Sequence, residues 1–216
     1  MSPSAPPPSA HNASGENADG SNGIGTRPTL ERLVVADAAA WRAWLDIHED
    51  TSDGVYLVLA KKGTTTPTTL TYAEALDEAL CSGWIDGRRN RIDDETFQQH
   101  FTPRRKTSMW SQRNVGIVEA LISERRMRPR GRREIDRAQA DGRWERAYAG
   151  PATAEIPTDL SDALDAAPAA AQRFAALSRA DRYAAIHQVV TAPSAQTRAT
   201  RVARLIAGWH AEPPAS

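Results

Sequence analysis

Large apolar residues are almost absent from residues 1–28, a run of Pro, Ser, Gly, Asn and Ala. Such a segment buries too little surface to offset chain entropy and is expected to be a disordered tail. From Thr29 the pattern changes. Residues 29–35, TLERLVV, predict a short strand. Asp37 is placed to cap a helix over AAAWRAWLDIHE, where Trp41, Trp44, Leu45 and His48 recur at spacings of three and four. Residues 54–63, GVYLVLAKKG, are apolar and β-branched between glycines and predict a central strand.

The clearest helix is TYAEALDEALCSG, residues 71–83. Thr71 and Glu74 have the spacing of a capping box, in which a hydroxyl takes an orphan N–H and a carboxylate reaches back to the cap. Tyr72, Leu76, Ala79 and Leu80 share its inner face, and Gly83 suits the left-handed closing position. Residues 84–104 then predict a β-hairpin turning near Asp93-Asp94-Glu95, with Phe97 and Phe101 on the return strand. A helix capped by Ser108 or Ser111 follows, and Pro129 favours the start of another that runs to Asp141-Gly142.

Residues 149–159, AGPATAEIPTD, read as a linker. Beyond it the pattern predicts three short helices, broken at Ser178 and Pro193, the last with Val202, Leu205, Ile206 and Trp209 on one face. The fold class expected is α+β. A main domain of helices and antiparallel strands at 29–148 is followed by a small helical domain at 160–210 and a tail at 211–216.

Composition narrows the classes. A 40% hydrophobic and 25% charged share fits a globular protein, and no apolar run approaches the length needed to span a bilayer. The N-terminal stretch has neither the basic start nor the apolar core of a secretory signal, so a cytoplasmic location is expected. One cysteine excludes an internal disulfide and a CxxC zinc site. The histidines show no HxxxH or HExxH spacing, and no metal or cofactor is expected. Charge is segregated: residues 31–100 carry 7 basic and 13 acidic side chains, whereas residues 101–146 carry 13 and 6. That asymmetry points to internal pairing or self-association as readily as to an anionic partner.

Candidate chemistry gathers at ALCSGWIDGRRNR, residues 79–91, and FTPRRKTSMWSQRN, residues 101–114. Cys81 lies at a helix C-terminus on the side of Glu74, Asp77 and Glu78. Both features raise a thiol pKa, so it reads as structural rather than nucleophilic. Asp86 is either a turn residue or a carboxylate fixing a pocket beside Arg88, Arg89 or Arg104. Trp84 is either core or a binding floor. Arg104, Arg105, Lys106, Trp110, Arg113 and Asn114 form a basic loop entering a helix N-terminus, an arrangement suited to anions; a solvated charge run is the plainer reading. Arg198, Arg201 and Arg204 form a stripe that is either a solvated helix face or a phosphate contact.

The stretches YAEALDEALCSGWIDG, FTPRRKTSMWSQRN, MRPRG and GRW resemble the YdeI/OmpD-associated family, also called bacteriocin-protection family proteins. The resemblance runs from about Thr29 to Tyr148, and the C-terminal segment is similar to the small helical domain that often ends these proteins. Ser82 stands where relatives usually carry an aromatic residue, and Arg126 where glycine is common. The resemblance implies an α+β main domain with a helical C-terminal piece. It also implies a role in tolerance of bacteriocins or cationic antimicrobial peptides and an association with a porin, and it brings no catalytic residue or cofactor.

The leading expectation is therefore a cytoplasmic, non-enzymatic binding or adaptor protein whose surface combines Trp84, Asp86, Arg104, Arg105, Trp110 and Asn114. Its partner would be a protein or a small anionic ligand, with a homodimer as a further option. The alternatives are an enzyme acting on an anionic small substrate through Asp86, and a nucleic-acid-binding protein using residues 101–146. The net charge of zero and the acidic first half weigh against nucleic acid.

Overall fold

A computed structural model of the protein describes residues 32–211. The tail read at 1–28, the start of the strand read at 29–35 and residues 212–216 lie outside the described residues. The first part is a four-stranded sheet with helices, and the second is a run of four helices. The strands are β1 (Arg32–Leu33), β2 (Val55–Ala60), β3 (Trp84–Arg91) and β4 (Thr96–Pro103), in the order β1-β2-β4-β3. Helix α1 (Ala38–His48) links β1 to β2, and α2 (Tyr72–Cys81) precedes the β3–β4 hairpin. Helices α3 (Gln112–Ser123) and α4 (Pro129–Ala140) complete this part.

Most of the sheet is antiparallel, as the hairpin pattern requires, but β1 pairs parallel to β2. The α1 crossover is what permits it, since parallel neighbours need a long connection. Register puts Val55, Leu57 and Leu59 of β2 opposite Phe101, Gln99 and Phe97 of β4, on the face that meets the helices. The core there is built on Trp41, Leu45, Leu76, Leu80, Trp84 and Phe101, each at most 1% exposed. Trp84 stands edge-on to Trp41 and Trp44, with ring centroids 6.3 and 5.8 Å apart. Burial of each indole N–H is made good locally. Trp41 Nε1 donates to the Ala75 carbonyl and Trp84 Nε1 to that of Glu49, both at 3.1 Å.

Local signals place the helix starts. Asp37 accepts from the Ala40 N–H, Thr71 and Glu74 form the reciprocal capping box, and Ser111, not Ser108, caps α3. Helix α2 buries a wider arc than its apolar residues alone define, because α4 packs across the side bearing Glu78 and Cys81. Glu78 survives there because Arg126 and Arg128 reach its two oxygens, at 2.8 and 3.2 Å. Arg128 also pairs with Asp46, and Arg130 with Asp50. The acidic half and the basic segment are thus joined by internal ion pairs.

Ser82 and Arg126, read above as departures from the pattern the sequence resembles, each have a structural role. Ser82 is fully buried, and its hydroxyl meets the Arg128 guanidinium. The left-handed turn after α3 falls on Arg125, at φ 60°, one residue before Arg126. Arg126 is consequently free to point at Asp77, Glu78 and Glu124.

The second part holds α5 (Thr158–Asp165), α6 (Pro168–Ala176), α7 (Arg179–Val190) and α8 (Ala195–Ala211) around its own core of Leu160, Phe174, Ile186, Val189 and Val202. Three helices are expected from the sequence and four are found. Helix α5 begins inside the stretch read as a linker. Its N-cap position is Pro157, with no side-chain cap, and only Leu160 and Leu164 are buried, so it carries little local signal. The arginine stripe of α8 is largely engaged, Arg198 with Asp159 and Arg201 with the Gln188 carbonyl.

The contact between α4 and the end of α2 is close enough to require glycine at 131. A Cβ there would overlap the Cys81 carbonyl oxygen and lie 2.8 Å from Met127 Cε. Gly131→Ala is expected to cost about 2 kcal/mol, while Gly116→Ala, in open space on α3, should gain up to about 1 kcal/mol. Urea denaturation of both variants checks the contrast.

Candidate functional site

Strand β4 ends at Pro103, and the next residue turns inward. The Arg104 N–H donates to the Gly83 carbonyl at 3.0 Å. This bond ties the start of the basic loop to the corner between α2 and β3. The guanidinium lies flat on Trp110, 3.5 Å from carbon to ring centroid, and the residue is 5% exposed. The loop between them is closed on itself. The Arg105 N–H donates to Ser108 Oγ, and Arg143 Nη1 donates to the Ser108 carbonyl at 2.8 Å. Tyr148 completes the enclosure, because its N–H donates to the Trp110 carbonyl and its carbonyl accepts from Gln112.

Hydrogen bonding at this centre is one-sided. Arg104 Nη1 donates to the Met109 carbonyl at 3.3 Å. Arg104 Nε and Nη2, and the adjacent Trp110 Nε1, are buried donors with no acceptor. Buried polar groups are nearly always satisfied, so three orphan donors together are unusual. Desolvation pushes the Arg104 guanidinium down to about 10, against the pull of Tyr148, Glu134 and Asp86.

Asp86 stands nearby on β3, facing the helices, opposite Phe101 and just before a bulge that runs to Arg89. Its Oδ2 accepts from the Tyr72 hydroxyl at 2.8 Å, and Arg113 Nη1 donates to the same hydroxyl at 3.2 Å. Burial raises the Tyr72 hydroxyl above its ordinary range, with Asp86 adding to the effect. Asp86 is thus held within a Tyr72–Arg113 chain rather than paired to Arg104.

The six residues singled out from the sequence separate as follows. Arg104 and Trp110 form the centre, and Asp86 borders it. Asn114 is buried one turn into α3, its N–H on the Ser111 cap. Arg105 is exposed in the turn. Trp84 is fully buried in the tryptophan cluster and shows no face to a ligand. Tyr72, Arg113 and Tyr148 belong to the surroundings although none was among the six. Tyr72 had only an inner-face signal, and no spacing links Tyr148 to Arg104.

Cys81 is buried, and burial, then Glu78, pushes its thiol up to about 11. Among the described residues, no group of three or more His, Cys, Asp or Glu is placed to hold a metal ion. No helix among them is long and apolar enough to cross a membrane. Tyr148 also reaches the second part of the chain. Its ring meets His187 edge-on at 4.6 Å, and Tyr183 donates to the Ala149 carbonyl at 3.2 Å. The Arg104 centre therefore sits next to the seam between the two cores. A separate apolar groove of about 810 Å³ runs between α5 and α8, lined by Ala163, Ala199, Val202, Ala203 and Ile206.

Residues 33–134 match the model of a domain of unknown function (DUF8412). Residues 153–210 match the model described as bacteriocin-protection, YdeI or OmpD-associated. No curated protein and no solved structure matches the chain. The similarity to the bacteriocin-protection family thus rests on the helical second part. The motif-bearing first part matches a model whose description carries no function.

Two measurements follow from the burial of titratable groups. Cys81 should react with a thiol reagent orders of magnitude more slowly in the native protein at neutral pH than in denaturant, since thiolate is the reactive form. His100 and His187 are both held below the ordinary 6.5, mainly by desolvation, with Arg201 adding to the effect at His187. The unfolded chain therefore binds protons first as pH falls below about 6.5, and stability should decline through that window. Urea midpoints should fall accordingly between about pH 7.5 and pH 5, and a His100→Gln/His187→Gln variant should flatten the decline.

Proposed function

We propose that the protein is a cytoplasmic, non-enzymatic binding or adaptor protein acting in tolerance of bacteriocins or cationic antimicrobial peptides, and that it recognises an anionic group at the Arg104 centre. The observation that carries the binding reading is the guanidinium edge of Arg104. It is positively charged, buried on Trp110 and without an acceptor at Nε and Nη2. A buried charge of that kind is costly unless something compensates it. An anion does so, and a binding protein gains affinity from donors that are already in place. The link to bacteriocin protection is supported by the match of residues 153–210, whose helices adjoin the centre through Tyr148 and His187.

A nucleic-acid role finds less support. Arg126, Arg128, Arg130, Arg137 and Arg143 of the basic segment are taken up by carboxylates of the chain itself. Phosphate binding by such a surface would require breaking those pairs.

Cells producing the protein should survive a cationic antimicrobial peptide better than cells without it. At equal levels of folded protein, Arg104→Met should remove most of that benefit and exposed Arg105→Ala should keep it. A survival curve unchanged by Arg104→Met would reject the reading.

A further inference from the structure

An arginine presents two different edges. Nη1 and Nη2 form the end; Nε and Nη2 form the side, two parallel N–H groups spaced to meet both oxygens of a carboxylate. This chain shows the side-on pairing elsewhere. Arg198 donates from Nε to Asp159 Oδ2 at 2.7 Å and from Nη2 to Oδ1 at 2.8 Å. At Arg104 the two unpartnered donors are the same two atoms, Nε and Nη2, while Nη1 is engaged by the Met109 carbonyl.

Three other little-exposed arginines each have a carboxylate. Arg128 has Glu78 and Asp46, Arg130 has Asp50 and Arg143 has Asp141. Asp86, the acidic neighbour on the sheet, gives an oxygen to Tyr72 instead. The Arg104 side edge is enclosed, and both of its unpartnered atoms are donors. The Trp110 ring packs against the guanidinium, 3.5 Å from its carbon to the ring centroid, a cation–π contact that holds it in place.

We infer that the Arg104 centre binds a small-molecule carboxylate, held side-on by Nε and Nη2 of Arg104 above the Trp110 ring. This rests on the anion-binding reading above and narrows it to one ligand chemistry. A planar carboxylate matches the two parallel donors, and one negative charge matches one guanidinium. A tetrahedral oxyanion brings a third oxygen that finds no donor on that edge and must be desolvated without return.

The test is a titration of the full chain, observed at the Arg104 Nε–H and Trp110 Nε1–H signals in nitrogen-15 NMR spectra at constant ionic strength. The probes are acetate, methanesulfonate of the same charge, and inorganic phosphate. Acetate is expected to shift both signals saturably and to bind at least about tenfold tighter than methanesulfonate, a difference of about 1.4 kcal/mol. Arg104→Lys keeps the charge but not the two-donor edge and should lose about tenfold or more in acetate affinity. Arg104→Gln keeps a planar polar group without the charge, should weaken acetate by about tenfold or more, and decides the matter if Arg104→Lys does not fold. Tighter binding of phosphate or methanesulfonate, abolished by Arg104→Lys, would overturn the carboxylate assignment and leave anion binding standing. Absence of a saturable shift with any of the three would overturn both.

Discussion

The corner at residues 81–84 is the constraint on which the rest of the first part depends. Helix α2 ends there with carbonyls that have no partner inside the helix. They are satisfied from outside. The Cys81 carbonyl accepts from the Arg128 N–H at 3.1 Å, and the Ser82 carbonyl from Arg130 Nη1 at 2.7 Å. Gly83, at φ +69°, turns the chain into β3, and its carbonyl accepts from the Arg104 N–H. Three elements are thereby locked to one turn: α4 through its first residues, β4 through its end, and β3 through Trp84. Positive side chains at a helix C-terminus also suit the dipole. The corner is thus electrostatically favoured as well as hydrogen-bonded.

The position of the candidate site follows from that corner. Because Arg104 is tied by its backbone to Gly83, its side chain leaves the sheet at a fixed point and meets Trp110 at the entrance to α3. The Ser111 cap orients the helix, and Tyr148 closes the loop from the other side through backbone bonds to Trp110 and Gln112. The orphan donors are consequently preorganised. The carboxylates that act on the guanidinium, Glu134 and Asp86, are engaged by Arg137 and Tyr72. Arg104 Nε and Nη2 stay without an acceptor in a region where Arg128, Arg130 and Arg143 each meet a carboxylate.

The two parts of the chain meet at the same seam. Tyr148 belongs to the enclosure of Arg104 and also meets His187 of α7.

Residues close together in the chain announced much of this architecture. The caps at Asp37, Thr71–Glu74 and Ser111, the turn at 93–95 and the glycine at 83 are interactions among near neighbours, so their spacing alone specifies the elements. Helix α5 escaped because Pro157 offers no side-chain cap and two leucines make a weak period. Core packing was one of the two readings open for Trp84, but the parallel pairing of β1 and the burial of Glu78 and Cys81 were not legible. Each depends on which distant element covers a surface. The arginine-rich loop was visible as a charge run, which ordinarily means a solvated face. Only the tertiary structure separated Arg105, exposed in the turn, from Arg104, stacked on Trp110 with its side edge unpaired. Exposure is a property of the packed whole, and it decides whether a guanidinium is one more surface charge or a binding group.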